Sequence, residues 1–390
     1  MIKRWLIIIT MIILSLVALV TQCPWTFHWR SRPTVCIGPH CSGTKGALEV
    51  LEDELGLYER WRAGSKEEDV TFYSQYEDFS NEHIVRNGVL VTRPKARATI
   101  LVMHGYKTNK VDMGILRLLF SPYNILLFDF RAHGDDTEGQ LSTLGYDEVY
   151  DVFAAIDFLR SHQLTKHLPI IGYGFSMGAV TAIEAQARDK TLFSALVLDC
   201  PFDSTEGLIE RGLDKVLGKI NIPFLGEYEI PGRTFLKKHA TNKYVQPVLL
   251  FLLRLFAGMD ASRVPTMPKR VHPIESVKKI AVPVQFVYCY ADEHVPVDVM
   301  INMYKNVQCY KRLWLTKGKR HFGSLFNNPE LYQQMVANFI EKVLNRSISA
   351  ECQERILTDV KRHELEQMHR RLFKHLLKDE IMALLYSQTN

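Results

Sequence analysis

The chain has 390 residues, of which 47% are hydrophobic and 23% are charged, and its formal net charge at pH 7 is +5. This composition is ordinary for a globular protein, and the length allows one main domain with additions. The charge is small for the length, and no block of Lys and Arg is interleaved with aromatic residues, so we expect no nucleic-acid partner.

Residues 1–22 differ in character from the rest of the chain. Lys3 and Arg4 precede an apolar stretch over residues 5–20, which is typical of an export segment whose basic end stays in the cytoplasm. No cleavage motif of the A-x-A type follows. We therefore expect a membrane anchor or a signal segment, with a buried helix as the alternative. Either of the first two places the body of the protein outside the cytoplasm, on the periplasmic or extracellular side, either membrane-anchored or exported.

Residues 23–69 are predicted to form a linker with a lead-in helix over Gly46–Trp61. Cys36 and Cys41 lie close together in a loop that contains Pro and Gly, and they could form a disulfide outside the cytoplasm. His40 lies between them, but no second pair of ligands follows. We therefore expect no zinc site in this loop.

From residue 70 onward, the hydrophobic pattern predicts alternating strands and helices. Two antiparallel strands come first, Val70–Tyr76 and His83–Thr92. The later strands alternate with helices, which implies parallel pairing through right-handed crossovers. We therefore predict an α/β fold with a mostly parallel, twisted sheet and helices on both faces. The later strands are Ala98–Met103, Asn124–Phe128, Ile170–Tyr173, Ser194–Leu198, Val284–Tyr288 and Leu313–Leu315, and the helices are Glu148–His162, Met177–Ala187 and Pro329–Leu344.

The alternation stops after about residue 203 and resumes at Pro283. We predict a helical cap over about 204–280, inserted after the sixth strand. The run Pro247–Leu253 is apolar all round, which is unusual for a surface helix. We interpret it as a buried helix of the cap. The alternatives are a wall of a pocket for an apolar group and a face that touches a membrane.

Residues 346–390 lie beyond the alternating pattern. Between residues 350 and 385, apolar residues recur every three to five positions among charged ones, which is typical of an amphipathic helix or helix pair. We predict that this C-terminal extension packs against the body. The alternatives are a dimer formed through the helix and a role at a membrane surface. The apolar positions are Ile356, Val360, Leu365, Met368, Leu372, Leu376 and Leu385.

One short motif separates a predicted strand from a predicted helix: Gly174-Phe175-Ser176-Met177-Gly178. A serine on so sharp a turn takes up a strained backbone, and the two glycines keep the strand and the helix from colliding. The turn lifts the hydroxyl clear of the sheet, where a base can reach it. Because short glycine turns before helices are common, the motif alone does not establish Ser176 as a nucleophile.

A serine hydroxyl needs a base to take its proton, and the base needs a third group to orient it. His321 lies in a glycine-flanked loop after the last predicted strand, and we predict that it is the base. Asp292 directly follows the preceding strand, and we predict that it is the acid. Asp203 and Glu293 are rival positions for the acid, which we interpret as a turn former and a solvated side chain.

Acyl transfer also needs hydrogen-bond donors that face the developing oxyanion. We predict that one is the backbone N–H of Met177, at the start of the helix after the nucleophile. The other is the backbone N–H of Tyr106, in the loop after the strand Ala98–Met103. Gly105 would let this loop bend toward a substrate. The alternative is that His104-Gly105 is only a turn.

Ser176, Asp292 and His321, in that order and with a His-Gly loop upstream, resemble the α/β-hydrolase fold superfamily. Within it, the chain is similar to bacterial serine hydrolases of the esterase and serine-aminopeptidase-like branch. The resemblance covers residues 70–345. Further segments that match are Asp129–Gly134, Thr143–Glu148 with Asp151, and Pro273–Ile280 before Pro283. Ala132 departs from the glycine that is usual in the first of these segments.

The resemblance implies a serine hydrolase that cleaves carboxylic esters through an acyl-enzyme, with no metal or organic cofactor. The apolar run in the cap favours a small ester substrate with an apolar acyl group. A thioesterase, lipase or peptidase would use the same triad, because the triad does not fix the leaving group. A membrane-tethered binding protein without catalysis is the alternative from another class, and its working surface would be the C-terminal extension.

Overall fold

The computed structural model describes residues 65–76, 83–216 except 136 and 138, 220–222, 226–228, 242, 244–245, 264–348 except 293, 319 and 320, and 354–358. The predicted N-terminal segment, the linker up to residue 64, the apolar run Pro247–Leu253 and the tail beyond residue 358 lie outside these residues. Among the helices that the structure describes, none combines the length and the apolar character needed to cross a membrane.

Strands and helices alternate along the described chain. The strands are β1 Lys66–Gln75, β2 His83–Thr92, β3 Thr99–Met103, β4 Asn124–Phe128, β5 Ile170–Phe175, β6 Ala195–Asp199, β7 Ile220–Ile222, β8 Gly226–Tyr228, β9 Val284–Cys289, β10 Lys311–Thr316 and β11 Glu354–Thr358. The helices are α1 Leu116–Leu119, α2 Glu148–Ser161, α3 Met177–Arg188, α4 Thr205–Val216, α5 Pro273–Ser276, α6 Val297–Asn306, α7 Gly323–Asn327 and α8 Pro329–Leu344, and a 3-10 turn covers Val277–Lys279.

Nine of these strands form one sheet, in the order β1-β2-β4-β3-β5-β6-β9-β10-β11. β2 pairs antiparallel with β1 and with β4, whereas all other neighbours pair parallel. Every residue of β3, β4, β5 and β6 is buried, so both faces of the central sheet are covered. The predicted α/β fold with a mostly parallel sheet is therefore confirmed.

Local sequence explains the limits of the covering helices. Asn328 begins α8, because its side-chain oxygen accepts the N–H of Leu331 at 3.0 Å and Pro329 occupies the first turn. Helix α2 buries one stripe at spacings of three and four residues, which is the period of a helix packed on a sheet. The stripe comprises Val149, Val152, Ala155, Ile156 and Leu159.

The segment after β6 is not uniformly helical where the structure describes it. Helix α4 is followed by a two-stranded hairpin of β7 and β8, which pair antiparallel. The chain returns through an extended segment that binds the loop before α2. Ser142 donates its N–H to Pro265 and accepts that of Met267, each at 2.8 Å. The described residues therefore show a mixed insertion, and the predicted helical cap stays a prediction for the remainder of the segment.

The expected helix of the C-terminal extension is wrong at residues 354–358, which form strand β11. β11 pairs parallel with β10, from Lys311 opposite Glu354 to Leu315 opposite Thr358. All six residues of β10 are buried, and its outer backbone groups need a hydrogen-bonding partner. The hydrogen bonds gained by pairing with β10 favour a strand here over the helix that the apolar spacing of the local sequence predicts. The sheet thus begins four residues before the predicted boundary at 70 and extends past the one at 345.

Candidate active site

The candidate nucleophile, Ser176, lies between β5 and α3 on a strained backbone. Its φ of 51° and ψ of −113° fall in a region that residues with side chains rarely adopt. Its N–H donates to the carbonyl oxygen of Asp199 at 2.8 Å, and its own carbonyl accepts the N–H of Val180 at 3.1 Å. These bonds hold the turn at the carboxyl end of β5.

The two glycines of the motif allow close contact between backbones. A Cβ on Gly174 would lie 2.5 Å from the Cα of Ala179, and one on Gly178 would overlap the carbonyl oxygen of Met103. No side chain larger than hydrogen fits at either position without moving α3 away from the sheet. The predicted reason for these glycines is therefore confirmed.

The structure brings the three predicted residues together in one hydrogen-bonded chain. The Oγ of Ser176 lies 2.8 Å from Nε2 of His321, and Nδ1 of His321 lies 2.6 Å from Oδ2 of Asp292. Since a carboxylate can only accept, Nδ1 carries the proton and Nε2 is free to accept the serine proton. This is the tautomer that a general base requires.

Asp292 is held in its ionised form. Burial opposes ionisation, but the hydrogen bond from His321 and the charge of that imidazole lower the pKa of Asp292 below its ordinary value. Its second oxygen accepts the backbone N–H groups of His294 at 2.7 Å and Val295 at 3.1 Å. A buried carboxylate with three donors stabilises an imidazolium when His321 takes a proton.

Aromatic packing fixes the histidine loop between β10 and α7. The ring of Phe175 lies 5.1 Å from that of His321 and 4.1 Å from that of Phe322. Phe322 has a φ of 64°, a left-handed conformation that is costly for a residue with a side chain. The loop thus turns sharply after His321, and Phe175 holds it against the turn that carries the nucleophile.

The predicted oxyanion donors lie at the ends of two neighbouring strands. Met177 is the first residue of α3, so its N–H has no acceptor within the helix. Tyr106 follows β3, and its hydroxyl lies 2.7 Å from the hydroxyl of Thr266. Neither the Met177 amide nor the Tyr106 amide donates a hydrogen bond to another residue that the structure describes. Their role toward a substrate stays a prediction.

Comparison with known families identifies the chain. A family model described as serine aminopeptidase, S33, matches residues 94–330, which is more than half of the chain. The chain belongs to this family of α/β hydrolases. The matched region runs from the segment before β3 to the start of α8, and it therefore includes all three residues of the hydrogen-bonded chain.

This hydrolase is similar to a curated relative and to two solved structures. The protein YqkD of Bacillus subtilis is 27% identical over 251 residues, which are 63% of this chain and 72% of the relative. The esterase Pf2001 of Pyrococcus furiosus superposes with a TM-score of 0.50 at 21% identity, covering 71% of this chain and 91% of that chain. The α/β hydrolase GrgF of Penicillium sp. sh18 gives a TM-score of 0.50 at 18% identity, covering 72% and 99%. At these identities, the two structural likenesses show the fold alone.

Asp203, the rival position for the acid, has another partner in the hydrolase. Its Oδ1 accepts a hydrogen bond from Arg211 of α4 at 2.8 Å. Asp292 occupies the position beside the imidazole instead. Glu293, the second rival, lies outside the described residues.

Ligand atoms of Cys200, Asp292 and His321 lie within 4.8 Å of one another, a grouping that a metal ion could bridge. A thiol must lose its proton to bind a metal. Burial, with the charges of Asp199 and Asp292, raises the pKa of the Cys200 thiol well above its ordinary value. The imidazole and the carboxylate bind each other, so the grouping fits the hydrogen-bonded chain better than it fits a metal site.

Sequence reasoning missed Asp199, the last residue of β6. It is fully buried, and its Oδ2 accepts the hydroxyl of Tyr332 at 2.8 Å, which in turn lies 2.6 Å from the hydroxyl of Tyr173. Burial raises the pKa of Asp199 to about 6, although the bonds from Tyr332 and Cys200 act in the opposite direction. The sequence feature that could have identified Asp199 is a carboxylate that ends an otherwise apolar strand.

Ala132 takes a left-handed backbone where the family resemblance would place glycine. Its φ is 60°, and its N–H donates to the side-chain oxygen of Gln140 at 3.1 Å. The neighbouring Arg131 binds Asp151 of α2, at 2.8 Å for the shortest contact, and both side chains are buried. The departure at Ala132 therefore leaves the loop fold in place, at the cost of backbone strain.

Proposed function

We propose that this hydrolase is a serine esterase that cleaves carboxylic esters through an acyl-enzyme on Ser176. The observation that carries the proposal is the hydrogen-bonded chain from Ser176 through His321 to Asp292. Membership of an α/β-hydrolase family supports it independently. Acyl transfer by this route needs no metal or organic cofactor.

In the proposed reaction, Nε2 of His321 takes the proton of Ser176 while the Oγ attacks the acyl carbon. The imidazolium stays hydrogen-bonded to Asp292, which remains ionised. His321 then gives the proton to the leaving alcohol, and the acyl group stays on Ser176. In the second half, His321 activates a water that releases the acid and restores the serine.

The backbone N–H groups of Met177 and Tyr106 are proposed to stabilise the oxyanion of the tetrahedral intermediate. The N–H of Met177 lies at the positive end of α3, where partial charge favours an anion. Such donors typically contribute the largest single part of the rate enhancement in acyl transfer.

Exposed apolar side chains in segments that connect to the site residues favour an apolar acyl group. On the histidine side, Phe326 is 40% exposed and packs on Phe322, with ring centroids 5.7 Å apart. On the nucleophile side, Met267 is 45% exposed, and it is bonded through its N–H to Ser142, whose hydroxyl lies 3.7 Å from the sulfur of Met177. An apolar chain could bury this surface.

Substitution of the nucleophile tests the proposal. We expect Ser176→Ala to lower kcat on a p-nitrophenyl ester by about 10⁴-fold or more and to abolish labelling by a fluorophosphonate probe. Ser161→Ala changes an exposed hydroxyl at the end of α2 and is the matched control. It should keep the wild-type kcat and the wild-type labelling by the probe. Labelling of the Ser176→Ala protein at the wild-type rate would reject Ser176 as the nucleophile.

A substrate panel separates an esterase from the other hydrolases that use this chemistry. We expect p-nitrophenyl esters to be cleaved with rising kcat/KM from acetate to medium-chain acyl groups, as more apolar surface is buried. Acyl thioesters and aminoacyl anilides are the competing substrates in the panel. A strict preference for acetate would reject the apolar acyl group, and faster turnover of an aminoacyl anilide would assign a peptidase instead.

We further propose that residues 1–22 tether the hydrolase to a membrane, with the catalytic domain outside the cytoplasm. The basis is the apolar stretch after Lys3 and Arg4. Fluorophosphonate labelling of fractionated cells tests this placement, since the labelled protein should remain in the membrane pellet after a carbonate wash. Labelled protein that is confined to the cytosolic fraction would overturn the tether.

A further inference from the structure

The loop that carries the Tyr106 amide is held by its carbonyl groups. The carbonyl oxygen of Gly105 accepts Nδ1 of His104 at 2.8 Å, and the hydroxyl and N–H of Thr108 at 2.9 and 3.3 Å. In a trans peptide, the C=O and the N–H point in opposite directions. Because three donors fix the direction of the Gly105 carbonyl, the N–H of Tyr106 in the same peptide points away from these donors.

The peptide between Tyr106 and Lys107 is held by a histidine. The N–H of Lys107 donates to Nε2 of His133 at 3.2 Å. Lys107 has a φ of 65°, so the loop takes a left-handed step at this residue and needs outside support to keep it. His133 supplies that support from the loop after β4, 26 residues away in the chain.

The surroundings of His133 fix its tautomer. The side chain is 2% exposed, and Nδ1 lies 2.9 Å from the carbonyl oxygen of Arg131, which can only accept. Nδ1 therefore carries the proton, and Nε2 is left as the acceptor for Lys107. The imidazole also packs edge-on against the rings of His104 at 5.0 Å and Tyr106 at 5.8 Å.

Carboxylates from two elements act on His133. Burial lowers its pKa, while the carbonyl of Arg131 and the carboxylates facing it raise it. The neutral ring is the form that can accept the N–H of Lys107, because a protonated Nε2 would place two donors against each other. These carboxylates are Glu148 and Asp151 of α2 and Asp129, which directly follows β4.

We propose that His133 is a positioning residue for the oxyanion loop. Its Nε2 holds the peptide between Tyr106 and Lys107, so that the preceding N–H, that of Tyr106, stays aimed at the acyl oxygen. His133 acts through Lys107 and does not touch the substrate. The inference rests on the proposed esterase function, and it adds a residue from the Asp129–Gly134 segment to the site.

Variants that differ only in the reach of an acceptor test the inference. Glutamine can place its side-chain oxygen near the position of Nε2, whereas asparagine reaches only the position of Nδ1, and phenylalanine keeps the ring without an acceptor. We expect His133→Phe and His133→Asn to lower kcat by about 10- to 100-fold with KM changed less than threefold, since a small misplacement of a donor costs rates of this order. His133→Gln should recover most of kcat.

A second readout separates positioning from a general loss of structure. The affinity for a trifluoromethyl ketone, which forms an oxyanion on Ser176, should fall in parallel with kcat, while the thermal midpoint of His133→Gln stays near that of the wild type. His167→Phe, at an exposed histidine after α2, is the control and should match the wild type. If His133→Phe does not fold, the comparison of His133→Asn with His133→Gln decides.

Two results would overturn the inference while leaving the esterase intact: wild-type kcat in folded His133→Phe or His133→Asn, or equal loss of kcat in His133→Asn and His133→Gln. Absence of ester turnover in the wild-type protein would instead reject the proposed function itself. The two failures are therefore distinguishable.

Discussion

At the scale of single residues, Asp292 and Asp203 show why position relative to the imidazole decides the role of a carboxylate. Both follow strands of the parallel sheet, and both accept hydrogen bonds. Asp292 faces His321, and the hydrogen bond and charge of His321 outweigh burial to lower its pKa. Asp203 instead binds Arg211 of α4, a contact that contributes to structure.

Substituting each acid in turn tests this difference. We expect Asp292→Asn to lower kcat by about 10³- to 10⁴-fold, because the amide favours the wrong tautomer of His321 and cannot balance an imidazolium. Asp203→Asn should keep kcat within about threefold of the wild type, since its side chain binds Arg211 and not the imidazole. The measurement is steady-state ester hydrolysis across pH 6–9, and equal losses in both variants would contradict the assignment of the acid.

The raised pKa of Asp199 leads to a separate prediction about the free energy of unfolding. Its pKa is raised to about 6 in the fold, against about 3.9 for an unfolded aspartate, so the fold favours the protonated form. Its contribution to the free energy of unfolding is therefore fully present below about pH 4 and is lost as pH rises through 6. The loss amounts to about 2 to 3 kcal/mol.

Guanidinium unfolding of the wild type and Asp199→Asn between pH 4 and 8 measures this contribution. The difference in unfolding free energy between the two proteins should shift in favour of Asp199→Asn as pH rises from 4 to 8. Using the difference removes the common contribution of other groups, including Asp292, whose lowered pKa acts in the opposite sense. A difference that is independent of pH would show that Asp199 does not titrate in this window.

The sequence could predict the three residues of the hydrogen-bonded chain because each follows a strand of a parallel sheet, and such ends meet at one edge. The sequence could not predict the hydrogen-bonding roles of Asp199 and His133. Asp199 is placed by a tyrosine of α8 that lies 133 residues later, and His133 by a backbone N–H of another loop. Partners at such separations leave no local pattern.

At the scale of elements, the contact of α3 with β3 depends on the absence of a side chain. We expect Gly178→Ala to lower the free energy of unfolding by about 1 to 3 kcal/mol, because its Cβ would overlap the carbonyl of Met103. It should also lower kcat, since α3 carries the Met177 amide. The matched control is Gly212→Ala in α4, where a Cβ meets no atom within 4 Å and the helix should gain up to about 1 kcal/mol. Thermal and guanidinium unfolding measure both variants. Equal changes in the free energy of unfolding for Gly178→Ala and Gly212→Ala would contradict the steric argument.

Element boundaries followed from the hydrophobic pattern wherever the pattern decides the structure. The predicted bounds of β2, β4 and α8 agree with the structure. β2 and α8 each bury one face with the period of their own class, whereas β4 is a short apolar run that is wholly buried. β11 did not follow from the pattern. Its five residues lie in a stretch with helical spacing, and only the unpaired edge of β10 makes a strand the better solution there.

At the scale of the whole molecule, β11 closes one edge of the sheet. It covers β10, whose six residues are all buried and whose outer backbone groups would otherwise face solvent. An exposed, well-ordered strand edge is a template for association with other chains. The C-terminal extension therefore has two separable parts, the strand at 354–358 and the tail beyond it.

Two truncations separate these parts. We expect a chain of residues 1–358 to unfold at the same guanidinium concentration as the full chain, because it keeps β11. A chain of residues 1–348 should lose a few backbone hydrogen bonds, each worth about 1 kcal/mol, and should associate as its concentration rises. Unfolding midpoints and sedimentation velocity measure both effects. Identical behaviour of the two truncations would show that β11 does not protect the sheet, whereas a dimer lost already in the 1–358 chain would assign association to the tail.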